Sequence, residues 1–193
     1  MFSIKTYNDS YKRDWNNFID ISKNSTFLFK REFMDYHAEK FEDFSLLIFY
    51  NSELIALFPC NIRDGEVYSH EGLSYGGIIV KSDIKFLRYL ELFTYLLKYF
   101  DEKSINKLYI KQIPSIYNSN FNGELDYLSF IVGATIYRRD IVSVIEMKNE
   151  NKISKDRIQG YKRGKKNKLE IKETDDLDEF WNSILTPTLL NRH

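Results

Sequence analysis

The amino-acid sequence predicts an α/β fold in which helices cover a mixed, mainly antiparallel sheet. Two observations predict this class. Apolar residues recur at helical spacing in several segments, and short runs rich in aromatic and aliphatic residues lie between these segments. The first such runs are joined by turns too short to hold a helix, whereas the later ones are separated by helical segments. Helices packed on the faces of one sheet satisfy both patterns.

Two helices are predicted first. Within residues 11–22, Trp15, Phe18 and Ile19 are spaced so that they share one helix face. A second amphipathic helix is predicted over residues 29–41, where the apolar stripe consists of Phe29, Phe33, Met34, His37 and Phe41.

Strand pairs follow these helices. Residues 44–50 and 54–60 are strongly β-prone, and the polar residues 51–53 between them predict a hairpin. A second pair is predicted over residues 61–68, which turn back at Asp64-Gly65, and a further strand covers residues 78–80.

Helical and extended patterns then alternate. A helix is predicted over residues 85–100, and polar and apolar residues alternate over 107–112 as in a strand. Residues 124–132 suit a helix that ends at Gly133, because glycine readily adopts the left-handed conformation of a C-terminal cap. Residues 137–147 are β-prone and are predicted to be extended.

The C-terminal segment is predicted to form a basic helix over residues 149–168, a strand over 169–172 and a helix over 177–190. Its Ile171-Lys172 and Trp181-Asn182 repeat, in order, the Ile4-Lys5 and Trp15-Asn16 of the N-terminal segment. A tandem duplication would explain this repeat. The alternative is a chance match between two common strand–turn–helix units.

Composition excludes several classes of protein. Lys+Arg and Asp+Glu each number 28, so the formal charge is zero and gives no general attraction to nucleic acid or anionic lipid. The single cysteine, Cys60, excludes an internal disulfide, and the apolar residues around it favour a buried thiol. The histidines His37, His70 and His193 do not have metal-ligand spacing, so we expect no metal. Without a secretory signal or an apolar run of about 18–20 residues, a cytoplasmic protein is expected.

Two segments contain candidate functional residues. Residues 152–168 hold eight cations and one acid, and Gly160 and Gly164 leave one helix face open, so this helix could bind phosphate groups. The alternative is a solvated face balanced by the acids of residues 170–179. The second segment is Ser69-His70-Glu71-Gly72-Leu73-Ser74-Tyr75-Gly76-Gly77, in which the paired glycines could admit a ligand to the backbone or could simply form a turn or bulge.

Several segments together resemble the FemAB-type branch of the Gcn5-related N-acetyltransferase (GNAT) superfamily. They are residues 24–28, Phe33-Met34-Asp35-Tyr36-His37, Leu57-Phe58-Pro59, residues 69–77, Gly133-Ala134-Thr135-Ile136-Tyr137-Arg138-Arg139-Asp140 and residues 163–168. The resemblance implies a GNAT-like sheet and two tandem domains. Residues 1–148 would be the first domain, and residues 149–193 would be the basic helix and the first strand and helix of an incomplete second one.

The resemblance also implies a function. We expect an acyl- or aminoacyltransferase that uses acyl-CoA or aminoacyl-tRNA as donor and acylates an amine of a nucleotide- or lipid-linked glycan or another cell-envelope precursor. The predicted acceptor site is formed by His70, Tyr75, Gly76 and Gly77, and the predicted phosphate contacts are Lys162, Arg163 and Lys166. The superfamily's usual donor-binding turn does not match Gln159-Gly160-Tyr161-Lys162-Arg163-Gly164. The alternatives are a truncated binding or scaffold remnant without turnover and, with less support, an RNA-binding module.

Overall fold

The computed structural model describes residues 1–120, 122–146 and 152–190. The chain divides into two compact units, Met1–Tyr137 and Arg138–His193. The predicted domain limits at residues 148 and 149 stay a prediction. No helix in the described ranges is long and apolar enough to cross a lipid bilayer.

The first unit combines short strands with four α-helices over its described residues. The strands are β1 (Phe2–Thr6), β2 (Glu42–Asp43), β3 (Leu46–Tyr50), β4 (Glu53–Phe58), β5 (Asn61–Arg63), β6 (Glu66–Tyr68), β7 (Ile79–Val80) and β8 (Leu108–Tyr109). The helices are α1 (Lys12–Ile21), α2 (Arg31–Met34), α3 (Phe86–Glu102) and α4 (Glu124–Ile131). Short 3-10 helices cover Asp9–Tyr11, Phe27–Phe29, Asp35–Lys40 and Ser115–Tyr117.

The strands form two four-stranded sheets. The first has the order β1-β3-β4-β7 with every neighbouring pair antiparallel. The second has the order β2-β5-β6-β8, in which β6 and β8 are parallel and the other pairs are antiparallel. The predicted fold class, a mixed and mainly antiparallel sheet flanked by helices, is therefore confirmed.

Both predicted hairpins form because their turn residues adopt positive φ angles. The β3–β4 turn has φ 48° at Asn51 and 68° at Ser52, and the β5–β6 turn has φ 53° at Asp64 and 74° at Gly65. Two-residue turns of this kind match the right-handed twist of the strands that they connect.

The core lies on both faces of the first sheet. Leu46 and Ile48 of β3 pack in a cluster with the α3 side chains Tyr89, Leu92, Leu96 and Phe100. The intervening Leu47 belongs to a second cluster with Trp15, Phe18 and Ile19 of α1. Because neighbouring residues of a strand point to opposite faces, this arrangement explains why β3 is apolar without alternation.

The predicted helix over residues 29–41 is wrong in its extent. Only Arg31–Met34 is α-helical, and 3-10 turns lie on either side. The Trp15 indole donates to the Phe29 carbonyl at 2.7 Å, and the Asn16 side chain accepts the Arg31 N–H at 3.0 Å. Trp15 thus takes the Phe29 carbonyl, which a continuous helix would have used, and Asn16 caps the first N–H of α2. The structure does not describe the side chain of His37.

Other predictions for the first unit are confirmed with somewhat different limits. The helices predicted near 11–22, 85–100 and 124–132 correspond to α1, α3 and α4, and Gly133 has φ 68° as a left-handed cap requires. The predicted strand over 107–112 is reduced to β8 and an isolated bridge between Gln112 and Gly76.

The second unit is helical in its described part. Helix α5 covers Lys155–Lys166, and α6 (Leu177–Phe180), a π-helical turn (Trp181–Leu185) and α7 (Thr186–Leu190) follow one another without a break. The basic helix and the helix over 177–190 are therefore confirmed. Residues 147–151, which include the end of the segment predicted over 137–147 and the start of the one predicted over 149–168, lie outside the described residues, as do residues 191–193.

The extended segments predicted over 137–147 and 169–172 are wrong over their described residues, which form no strand. A strand needs a neighbouring strand for its backbone hydrogen bonds. Residues 152–190 form no strand with which residues 169–172 could pair. Ile141 and Ile171 are accordingly 99% and 103% exposed. The second copy of the opening motif thus reproduces the helix but not the strand, and the tandem duplication stays a prediction.

Candidate functional site

A loop leaves the second sheet next to its parallel strand pair. Beyond β6, the Ser69 N–H donates to the Tyr109 carbonyl at 2.8 Å, and the Gly76 N–H donates to the Lys111 carbonyl at 2.5 Å. The two acceptors are close together in sequence, whereas the two donors are not. Residues 70–75 therefore protrude from the sheet, and we call residues 69–76 the excursion loop.

A pocket of about 210 Å³ opens beside this loop. We call it the tyrosine pocket, and its lining residues are Tyr68, Ser69, Glu71, Tyr109, Lys111 and Tyr137. The Tyr68 and Tyr109 rings are stacked with centroids 4.7 Å apart, because these residues are direct partners in the parallel β6–β8 register. The Tyr137 ring meets the Tyr109 ring edge-on at 5.9 Å.

The Glu71 carboxylate has a fixed position at the pocket. Asn61 Nδ2 donates to Glu71 Oε2 at 2.9 Å, and the Glu71 N–H donates to Asn61 Oδ1 at 2.8 Å. Asn61 is itself buried, so this pair anchors Glu71 to β5. Glu71 Oε1 also forms an ion pair of 2.6 Å with the Arg63 guanidinium, whose side chain is 56% exposed. An exposed ion pair of this kind contributes little to stability.

A second carboxylate orders the neighbouring tyrosines. The Tyr68 hydroxyl donates to Glu66 Oε2 at 2.9 Å, and Lys107 Nζ lies 2.6 Å from Glu66 Oε1. The hydrogen bond from Lys107 lowers the pKa of Glu66, and the hydrogen bond to Glu66 raises the pKa of Tyr68. The Tyr68 hydroxyl thus remains protonated at neutral pH and serves as a hydrogen-bond donor.

Lys111 contacts the excursion loop with its ammonium group. Its Nζ donates to the Glu71 carbonyl at 3.2 Å and also to the Leu73 carbonyl. Its backbone N–H donates to Ser69 Oγ at 2.8 Å. The loop and strand β8 are therefore joined by side chains as well as by their backbones.

His70, a predicted acceptor-site residue, does not line the tyrosine pocket. Its side chain is 4% exposed and packs edge-on against the Phe41 ring at 5.4 Å. Burial lowers its pKa to about 4, so the imidazole is neutral at pH 7. The carboxylate of the neighbouring Glu71 binds Asn61 and Arg63.

The predicted glycines are explained by packing within the protein. A β-carbon at Gly76 would lie 2.1 Å from the Ser69 carbonyl oxygen, and Gly77 has φ 103°. Tyr75 packs against Phe29 and Tyr117 with ring centroids 6.3 and 5.3 Å away, and burial raises its pKa. None of these three residues lines the tyrosine pocket.

The predicted phosphate contacts belong to the second unit. Lys162, Arg163 and Lys166 are exposed on α5, and no ion pair within the described residues involves any of them. Lys162 and Lys166 are one helical turn apart and therefore share a face. Their part in phosphate binding stays a prediction.

Sequence reasoning missed most of the tyrosine pocket. Ser69 and Glu71 belong to the glycine-rich segment 69–77, but neither is among the predicted acceptor-site residues. The alternation over residues 107–112 places Tyr109 and Lys111 on one face of a strand and could have identified them. In residues 1–120, 122–146 and 152–190, no cluster of three or more His, Cys, Asp or Glu side chains could hold a metal ion.

Comparison with known proteins gives the following findings. No family model and no curated protein matches the sequence. Among solved structures, the chain is similar to the ribosomal-protein-S18-alanine N-acetyltransferase from Escherichia coli, with 12% identity, a TM-score of 0.42 and coverage of 56% of this chain and 64% of that one. It is also similar to AAC(6')-Iy in complex with the bisubstrate analogue CoA-S-monomethyl-acetylneamine, with 13% identity, a TM-score of 0.47 and coverage of 76% and 99%.

A third similar structure is the aminoglycoside 6'-N-acetyltransferase AAC(6')-IG from Acinetobacter haemolyticus, with 16% identity, a TM-score of 0.45 and coverage of 75% and 99%. All three are N-acetyltransferases by name. The chain spans less than two thirds of the length of the Escherichia coli enzyme.

Proposed function

We propose that this chain is an acyl- or aminoacyltransferase of the GNAT type that acylates an amine, with the tyrosine pocket as its acceptor site. The observation that supports this proposal most directly is the pocket beside the parallel β6–β8 pair, in which the fixed Glu71 carboxylate lies next to tyrosine rings. A carboxylate in a partly apolar pocket suits an ammonium group. The resemblance in the sequence supplies the reaction class.

The chemistry requires no covalent intermediate on the protein. The acceptor ammonium group first loses a proton to water or to a carboxylate. The neutral amine then attacks the donor carbonyl, a C–N bond forms, the thioester or ester bond breaks, and the CoA thiol or the tRNA hydroxyl leaves with the second amine proton. Catalysis then depends on positioning and on hydrogen bonds to the oxyanion. Cys60 is unsuited to act as a nucleophile, because its thiol is buried and burial raises its pKa.

Glu71 is assigned to the acceptor ammonium group. Its position is set by Asn61, and the exposed Arg63 side chain can leave when a ligand cation arrives. The pocket volume of about 210 Å³ is smaller than the roughly 300–1,000 Å³ of common ligand sites. The pocket therefore holds only the amine-bearing end of the acceptor, which we propose, from the resemblance, to be a cell-envelope or surface-polysaccharide precursor.

The acyl donor is assigned to the cations of α5. Acyl-CoA and aminoacyl-tRNA both carry phosphates, and Lys162, Arg163 and Lys166 are exposed cations whose charges are not neutralised by an ion pair within the described residues. These residues fit a phosphate-bearing donor of either type. Assays with acyl-CoA and with aminoacyl-tRNA distinguish the two types of donor.

The test is a matrix of donors and acceptors. The full chain is incubated with acyl-CoA species or aminoacyl-tRNAs and with aminosugars, amino acids and amine-bearing glycan precursors, and products are identified by mass spectrometry. We expect N-acylated product with at least one pair. Failure to consume any donor would overturn the proposal and would favour the binding protein without turnover.

A further inference from the structure

We propose that Lys111 is a positioning residue, whose ammonium group holds the excursion loop in the shape that brings Glu71 into the tyrosine pocket. This inference rests on the proposed function for its catalytic consequence, but its structural part can be tested without any substrate. Lys111 lies on the strand segment that follows β8, and Glu71 lies on the loop.

Lys111 meets the excursion loop at its beginning, middle and end. Its backbone N–H donates to Ser69 Oγ, its Nζ donates to the carbonyls of Glu71 and Leu73, and its carbonyl accepts the Gly76 N–H. The first and last contacts join the loop ends to the sheet. The ammonium contacts are the ones that a side-chain substitution removes.

The loop needs such support because of its own backbone. His70 has φ 64°, a left-handed conformation that costs a non-glycine residue about 1 kcal/mol or more and persists only where surrounding contacts impose it. The His70 N–H donates to the Tyr68 carbonyl at 2.7 Å, and the Leu73 N–H donates to the His70 carbonyl at 3.1 Å. The Glu71 and Leu73 carbonyls then receive their hydrogen bonds from Lys111.

Lysine suits this position better than arginine does. An ammonium group is compact and has three donors that can point in different directions, whereas the guanidinium group presents its donors in one plane. Two carbonyls from neighbouring parts of one turn converge on a single point. Hydrogen bonds from a charged donor are about twice as strong as neutral ones, so the loss of both should release the loop.

The structural test compares backbone hydrogen exchange in the full chain without ligand. In Lys111→Met we expect exchange of residues 70–75 to accelerate at least tenfold, whereas the matched control Lys107→Met, at the other end of β8, should leave it unchanged. Lys107 Nζ donates to Glu66, which precedes the loop. Equal exchange in Lys111→Met and wild type would overturn the proposal.

A second variant restores the charge chemically. Lys111→Cys is alkylated with 2-bromoethylamine, which forms a C–S bond, releases bromide and rebuilds an ammonium group at nearly the original length. Cys60 is buried and its thiol pKa is raised, so it should not compete. We expect alkylation to restore slow exchange in the loop. Failure to do so in a folded protein would contradict a role for the ammonium group.

The catalytic test uses a double-mutant cycle with acceptor kinetics. If Lys111 acts through Glu71, Lys111→Met should lower kcat/KM for the acceptor at least tenfold alone, but less than threefold when added to Glu71→Gln. Equal losses in both backgrounds would show that Lys111 acts independently of Glu71. If wild type transfers no acyl group yet exchange responds as expected, the proposed function fails while the structural role of Lys111 stands.

Discussion

Gly76 lies so close to Ser69 that a β-carbon on Gly76 would be 2.1 Å from the Ser69 carbonyl oxygen. This contact closes the excursion loop, since Ser69 begins it and Gly76 ends it, and each donates a backbone hydrogen bond to the segment that contains β8. The loop that presents Glu71 therefore depends on a residue without a side chain at its end.

Gly76→Ala should destabilise the protein by about 3 kcal/mol or more, because the methyl group would collide with backbone that cannot move without breaking the sheet. The measurement is the free energy of unfolding in urea. Gly123→Ala is the matched control, since a β-carbon there would have no atom within 4 Å, and its φ is −106°. Equal free energies of unfolding for both variants would contradict the packing described for Gly76.

His70 should make the stability depend on pH. Its pKa is about 4 in the folded protein, against an ordinary value of 6.5, so the unfolded chain takes up the proton first as the pH falls. The contribution is fully present above about pH 7 and is lost between about pH 6.5 and 4. It amounts to roughly 3 kcal/mol.

His70→Asn removes this titration and retains a residue that tolerates positive φ. The difference in free energy of unfolding between wild type and this variant, measured from pH 7.5 to 4, should therefore shift against wild type as the pH falls. A difference independent of pH would show that the buried imidazole does not titrate as described.

Arg31 should be essential to the packing of the first helices. Its guanidinium is buried, lies 3.7 Å from the centre of the Tyr7 ring, and binds Asp35 and Asp43 at 2.5 and 2.6 Å. Arg31→Met should cost about 3–5 kcal/mol, because two partly buried carboxylates lose their partner. Lys107→Met breaks the more exposed pair with Glu66 and should cost much less. Thermal and urea unfolding can compare the two, and a similar loss in both would contradict this account.

Neutralising the α5 cations should weaken donor binding. In a Lys162→Ala, Arg163→Ala, Lys166→Ala triple variant, we expect donor KM to rise about tenfold and its dependence on salt to decrease. Arg157→Ala, on the opposite face of α5, is the control. An unchanged donor KM in the triple variant would contradict a role of α5 in binding the donor phosphates.

The sequence predicted structure correctly where that structure depends on residues close together in the chain. The turns at Asn51-Ser52 and Asp64-Gly65 depend on a few neighbouring residues, and both hairpins were predictable. The helix predicted over 29–41 was wrong because Trp15 and Asn16 bind its backbone groups from another helix, and no local pattern reports such a contact.

The candidate site was less predictable for the same reason. Glu71 and Lys111 meet only because β6 and β8 pair in parallel across a long sequence separation. The glycines of residues 69–77 indicated this loop as a candidate site, but Gly76 is required by close packing against Ser69 and Gly77 by its positive φ. The side chains beside them line the pocket.

The measurement that tests the central claim most directly is acceptor kcat/KM for Glu71→Gln, with the most active donor and acceptor from the panel. Glu32→Gln, at an exposed carboxylate of the first unit, is the control. If the tyrosine pocket is the acceptor site, Glu71→Gln should lower kcat/KM about a hundredfold, equivalent to roughly 2.7 kcal/mol, while the control stays within about twofold. Equal kcat/KM for wild type and a folded Glu71→Gln variant would contradict the assignment of this pocket.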